Sequence, residues 1–262
     1  MDEQNLGKKI PSESTINKYL KQKSRTAPRR KRVALPLNPV FPATYAHQLW
    51  QMDAEGNTTV DNIGTVSIIN IKDVFSRTVV QIYPCLLKGK FNHPTTIDYQ
   101  TAMRLGFISF GLCKHLQVDH DSIYFDNVNA SPFPTNFHLW LIGLGIELHF
   151  TPKGRPQKQG MIEKSHQTTK RQVLPVHEQF SDWIALFDYC NFRRNRLNYH
   201  LPCRMLEDKA PLVYHPQAVF SDIAYKAKEE EMLFDIHAIR RYLSQLVWYR
   251  TSSKSRTVTL AN

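Results

Sequence analysis

Asp53, Asp119 and Glu163 are the residues whose chemistry most needs an explanation. Glu163 is the lone acid in RPQKQGMIEKSH (Arg155–His166), among Arg155, Lys158 and Lys164. Asp53 closes the run QLWQMD, and Asp119 closes HLQVD. Carboxylate oxygens suit hard divalent cations such as Mg²⁺, which take few protein ligands and leave room for water and phosphate. Two such ions can clamp the attacking and leaving oxygens of an in-line phosphoryl displacement. A phosphodiester is anionic, so bare carboxylates would repel it. Metal ions reverse that sign, and surrounding Lys and Arg hold the flanking phosphates. A metal-ligating acid in a basic, phosphate-binding frame therefore accounts for Glu163. Spacing alone decides little, because acids at strand ends are commonly turn formers or caps.

The whole chain sets the bounds. Its 262 residues carry 34 Lys+Arg against 23 Asp+Glu, a net charge of +11. That excess favours a polyanionic partner, nucleic acid before an anionic membrane surface. An apolar content of 42% excludes a wholly disordered chain. Cys85, Cys113, Cys190 and Cys203 form no CxxC pair, which argues against a zinc knuckle or a disulfide scaffold and suits a reducing compartment. No spacing among the eleven histidines suggests zinc. MDEQNLGKKIPSES has no apolar signal core, and FHLWLIGLGIELHF is too short to span a bilayer. These features predict a cytoplasmic protein without a membrane partner.

The positioning elements follow from periodicity. IPSESTINKYLKQ reads as a short helix, capped by Ser12 or Ser14. It is either part of a helix-turn-helix or a short helix on a basic arm that ends at Arg29, Arg30, Lys31 and Arg32. VALPLNPVFPA makes a stiff, extended linker. QLWQMDAE, TVSIINIKDVF and TVVQIYPCLL read as strands, the first with Leu49, Gln51 and Asp53 on one face. TTIDYQTAMRLGF reads as a helix with Ile97, Thr101 and Leu105 in register, followed by the strand HLQVDHD. NFHLWLIGL is a helix closed by Gly145, and IELHF an edge strand. A polar helix over 161–174 carries Glu163, stopped by Pro175. SDWIALFDYCNFRRNR is an amphipathic helix, and LVWYRTSSKSRTVTLAN reads as two strand-like runs. The expected division is a basic arm (1–34), a linker (35–47), an α/β core with a mixed sheet (48–205) and the incomplete start of a small β-domain (206–262). Asp73 is expected to pair with Arg77 or cap its turn. Arg193, Arg194 and Arg196, with Phe192 and Tyr199, either touch a DNA backbone or pack as the end of a helix.

LWQMD, INIKDVFSR, LQVDHDSIYF, LGIELHFTPKGRPQKQGMIEKSHQT and NFRRNRLNYHLP occur in that order. Together, over about 48–202, they resemble the integrase catalytic core of bacterial DDE transposases, in the branch with a helix-turn-helix ahead of the core. The resemblance implies a ribonuclease-H-like fold with a five-stranded mixed sheet flanked by helices. It implies Mg²⁺ (or Mn²⁺), with two ions, and Asp53, Asp119 and Glu163 as the metal-binding catalytic acids. It also implies duplex DNA as partner, transposon ends and target, bound by a homo-oligomer with no small-molecule substrate. Lys158, Lys164, His166 and Lys170, with the basic arm, would contact DNA. The chain departs from the family pattern in places. Asp119-His120-Asp121 stands where the family has Asp-Asn-Gly, and Gln159-Gly160 where it has Asn-Gly. FDNVNASPFP lengthens the interval to Glu163, and Asp126 within it is the rival second acid. No cysteine precedes Cys85, so an N-terminal zinc module is not expected. A DNA-binding remnant without activity and a nuclease of the same fold are the alternatives.

Overall fold

The computed structural model describes residues 12–23, 41–87, 93–119, 121–124, 133–151 and 179–245. The chain divides into two units, Met1–Pro39 and Val40–Asn262. In the first, the helix α1 (Glu13–Gln22) is capped by Ser12, whose Oγ accepts from Thr15 N at 3.4 Å. The basic run at Arg29–Arg32 lies outside the described residues.

The second unit is built on five strands: β1 (Leu49–Val60), β2 (Gly64–Asp73), β3 (Val79–Leu86), β4 (His115–Val118) and β5 (Glu147–Phe150). Their order is β3-β2-β1-β4-β5. The first three form an antiparallel meander, and β4 and β5 add in parallel on the other side of β1. Parallel addition needs crossover connections. The helix α2 (Thr96–Phe110) leads into β4, and α3 (Asn136–Gly143) into β5. Gly145, at φ +73°, ends α3 by donating its N–H to Ile142 O, a left-handed position that glycine adopts without a Cβ clash.

Alternation along the strands gives each face of the sheet its own core. Trp50, Met52, Ile69 and Ile71 pack with α2 and α3 through Met103, Phe107, Phe137 and Leu141. Val66, Ile68 and Ile82, on the other face, pack with Phe180, Leu186 and Cys190 of the segment leading into and along the helix α4 (Trp183–Tyr199). The buried face of α2 differs from the expected one. It comprises Tyr99, Ala102, Met103, Gly106, Phe107 and Phe110, while Ile97 is exposed and Thr101 and Leu105 are half-buried. The helix carries apolar residues around much of its circumference. The faces therefore compete, and the aromatic side with the larger area wins.

α4 is fixed to β3 by a buried amide. Asn198 Oδ1 accepts from Val79 N and its Nδ2 donates to Val79 O, both at 2.8 Å, so the side chain completes an edge-strand residue. Arg194 donates to Gln81 Oε1 at 2.6 Å, and burial lowers its pKa. Arg194 is therefore a packing residue, whereas Arg196, Phe192 and Tyr199 are exposed. Beyond Pro202 the chain continues into the same core, where Leu212, Ala218 and Tyr225 are buried. The described part of this region is helical: α5 (Pro211–Tyr214), α6 (Glu230–Leu233) and α7 (Ile236–Ser244), with short 3₁₀ turns. The two expected strand-like runs at the end lie outside the described residues.

Asp73 is a turn anchor. It is fully buried and accepts from Ser76 N (2.7 Å), Ser76 Oγ (2.6 Å) and His47 N (2.8 Å). Burial raises its pKa, and the Ser76 hydrogen bonds oppose that shift. His47 is held in turn, its Nδ1 accepting from the Trp50 indole and its Nε2 donating to Ala218 O.

Candidate active site

β1 is the central strand, and its alternation puts Gln51, Asp53 and Glu55 on one face. Its parallel neighbour β4 pairs Gln51 with Gln117, and the two amides are joined by a 3.0 Å hydrogen bond. Asp53 and Asp119 each lie two residues beyond this pair on their own segments. Both acids line one cleft of about 160 Å³, together with Glu55, Asp121, Tyr99 and Tyr124. Asp53 and Asp119 are half-buried.

Each acid is oriented locally. Asp53 Oδ1 accepts from Ala54 N at 2.8 Å. Asp119 Oδ1 accepts from Asp121 N at 2.9 Å, an Asx turn in which a side chain replaces a backbone acceptor. Asp121 continues the turn by accepting from Ile123 N at 3.1 Å. The turn after β4 thus closes on its own carboxylates in place of a glycine. At the other end of the cleft, the β1–β2 pairing slips between Glu55 and Thr58, a bulge that holds Gly56 and Asn57, and Ser67 Oγ bonds Glu55 O at 2.6 Å. Bulges of this kind re-aim side chains beside functional sites.

Tyr99 and Tyr124 form the aromatic side of the cleft, their rings T-shaped at 5.2 Å. Burial pushes both phenols up, and the charges of Asp53 and Asp119 push further in the same direction. Both rings stay protonated at neutral pH and can donate a hydrogen bond but add no charge. Negative charge in the cleft therefore comes from carboxylates, in a chain that is otherwise strongly basic. His93 also lines the cleft, but its carboxylates supply most of the donor atoms, and such a carboxylate-rich set fits a hard divalent cation.

Several expected site residues lie outside the described residues: Glu163, Lys158, Lys164, His166, Lys170 and the rival acid Asp126. Two cleft acids were not singled out as site residues from the sequence. Glu55 was legible, since it is two residues beyond Asp53 on a strand. Asp121 was noted only as a departure from Asp-Asn-Gly. A histidine pair was also missed. β4 and β5 bring His115 and His149 together with Glu147, although they are far apart in sequence, because strand pairing sets their proximity.

No protein-family model matches the chain. Among solved structures, it is similar to a chain of the simian T-cell lymphotropic virus intasome, determined in complex with the PP2A regulatory subunit B56 gamma. The TM-score is 0.51 at 14% identity, covering 69% of this chain and 58% of that one. It is also similar to the HTLV-2 integrase catalytic core domain in complex with magnesium, with a TM-score of 0.48, 14% identity, and 66% and 99% of the two chains covered. The catalytic core domain of BIV integrase scores 0.42 at 15% identity, over 66% and 96%. At these identities the likeness is one of fold. The mixed five-stranded sheet flanked by helices is that of the ribonuclease-H-like integrase core. No described helix is long and apolar enough to cross a membrane.

Proposed function

We propose that this chain is a DDE transposase, a polynucleotidyl transferase that cleaves DNA at transposon ends and joins the freed ends to target DNA. The observation that carries this reading is the convergence of Asp53 and Asp119, from adjacent parallel strands, on one carboxylate-rich cleft. Asp53, Asp119 and Glu163 are the proposed metal-binding catalytic acids. Divalent cations held there, Mg²⁺ or Mn²⁺, would supply nucleophile activation and charge stabilisation at phosphorus. The remaining contribution of the protein is positioning. The central strand fixes Asp53, the Asx turn fixes Asp119, and the protonated phenols of Tyr99 and Tyr124 keep further negative charge out of the cleft. Lys158, Lys164, His166, Lys170 and the arm at Arg29, Arg30, Lys31 and Arg32 would hold flanking phosphates. Water attacks first, then a DNA 3′-hydroxyl, within a homo-oligomer on DNA.

The test uses labelled element-end duplexes and a target duplex with Mg²⁺ or Mn²⁺. Joined products are expected. Asp53→Asn, Asp119→Asn and Glu163→Gln should each lower product formation by at least about 10³-fold, as removal of a metal ligand does, and leave DNA retention within about twofold. Cutting without joining would reduce the proposal to a nuclease. DNA binding with no chemistry in either metal would reduce it to a binding remnant.

A further inference from the structure

Away from the carboxylate cleft, β4 and β5 pair at the open edge of the sheet with His115 opposite Glu147. His149, two residues beyond Glu147, returns to the same face. His115 Nδ1 is 3.1 Å from His149 Nε2 and 3.3 Å from one Glu147 oxygen. The other Glu147 oxygen is 3.7 Å from His149 Nε2. Donors bonded at about 2.0–2.1 Å around a tetrahedral ion stand roughly 3.3 Å apart. The three separations thus have the size of one face of such a shell. A proton shared between the two rings would explain the shortest separation. It would not explain why a third donor converges on the same point.

The surroundings also suit an ion. The Phe41 ring lies 4.1 Å from the His115 ring and 4.9 Å from the His149 ring, an apolar wall over both imidazoles. The Glu147 side chain is 67% exposed, which leaves a solvent-facing side for a fourth ligand. Two imidazoles and one carboxylate favour zinc-class transition metals, whereas carboxylates alone favour magnesium. We propose that His115, Glu147 and His149 bind one zinc-class ion that pins the edge strand β5 to β4. The site does not depend on the proposed transposase chemistry. By fixing β4, it would steady the strand that leads into Asp119.

The full chain, stripped with a chelator, would be titrated with Zn²⁺ against a chromophoric competitor, and with Co²⁺ to read coordination from its visible absorption. The expected result is one tight equivalent per chain with a four- or five-coordinate Co²⁺ spectrum. Glu147→Gln, at an exposed position that does not threaten folding, should weaken Zn²⁺ by at least about tenfold. His149→Gln should remove the tight equivalent and the Co²⁺ spectrum, and Asp53→Asn should change neither. The proposal is overturned if no tight equivalent appears. It is equally overturned if Glu147→Gln binds like the parent, since the ion would then sit on other histidines, or if Asp53→Asn abolishes binding.

Discussion

Three aspartates show how environment assigns the role of one residue type. Asp73 is fully buried with three donors on its oxygens, so its carboxylate is occupied by the fold. Asp53 and Asp119 are only half-buried, each accepts a backbone N–H, and both line a shared cleft. Asp73→Asn should therefore cost about 1–3 kcal/mol, because a neutral amide cannot accept from all three donors. Asp53→Asn should cost much less than Asp73→Asn, since Asp53 is only half-buried and its change relieves repulsion from the acids beside it. Thermal denaturation of both variants in metal-free buffer checks the contrast. A large loss of stability in Asp53→Asn would make that residue structural. The sequence marked Asp53 and Asp119 as acids at strand ends, and it favoured a structural part for Asp73. It left open whether Asp73 pairs with an arginine or caps a turn. That depends on the tight turn that brings Ser76 back, with Arg77 at φ +66°, and such local geometry has no periodic signature. His115, Glu147 and His149 were illegible for a related reason. Their contact is a property of strand register, and register is set by the whole sheet.

At the scale of elements, the strands were the most legible, because β-branched runs bounded by polar turns leave few alternatives. Alternation alone placed Gln51 and Asp53 on one face, and Asp53 is one of the cleft acids. The helix α2 was found, but its buried side was assigned to Ile97, Thr101 and Leu105. Packing instead follows Tyr99, Met103, Gly106 and Phe107, because Gly106 lets the helix approach the sheet closely. A Cβ at Gly106 would stand 2.8 Å from Val80 Cγ1 and 3.4 Å from the Trp50 ring. Gly106→Ala should thus destabilise the protein by about 1–3 kcal/mol despite the better helix propensity of alanine. Ile97→Glu, at an exposed position, should stay within about 0.5 kcal/mol. Urea denaturation distinguishes the two. If the expected face were the true one, their order would reverse.

At the scale of the molecule, the C-terminal segment is held to the core by an acid. Glu230 accepts from Arg104 Nε and Nη2 at 2.8 and 2.7 Å, from the Trp140 indole at 3.1 Å and from the Tyr225 hydroxyl, which joins α2, α3 and α6. Burial alone would raise its pKa, but these donors, Arg104 foremost, hold it down at about 2. With the folded value depressed, the clasp contributes fully above the ordinary carboxylate range and is lost as pH falls from about 4.5 towards 2. Glu230→Gln should be less stable than the parent at pH 7, and the gap between the two should close towards pH 2. The same whole-molecule view bears on the proposed DNA binding. A net charge of +11 is a property of the entire chain, and the cleft acids would themselves repel phosphate. Association should therefore depend on counterion release. The logarithm of the binding constant should fall linearly with the logarithm of salt concentration, with a slope of about −0.9 per phosphate neutralised. Replacing Arg29, Arg30, Lys31 and Arg32 with alanine should make that slope shallower by up to about 3.6 units, about 0.9 per lost contact. Asp53→Asn should leave it unchanged in metal-free buffer. A slope untouched by the arm substitutions would place the phosphate contacts on the second unit, and the arm would then have no part in holding DNA.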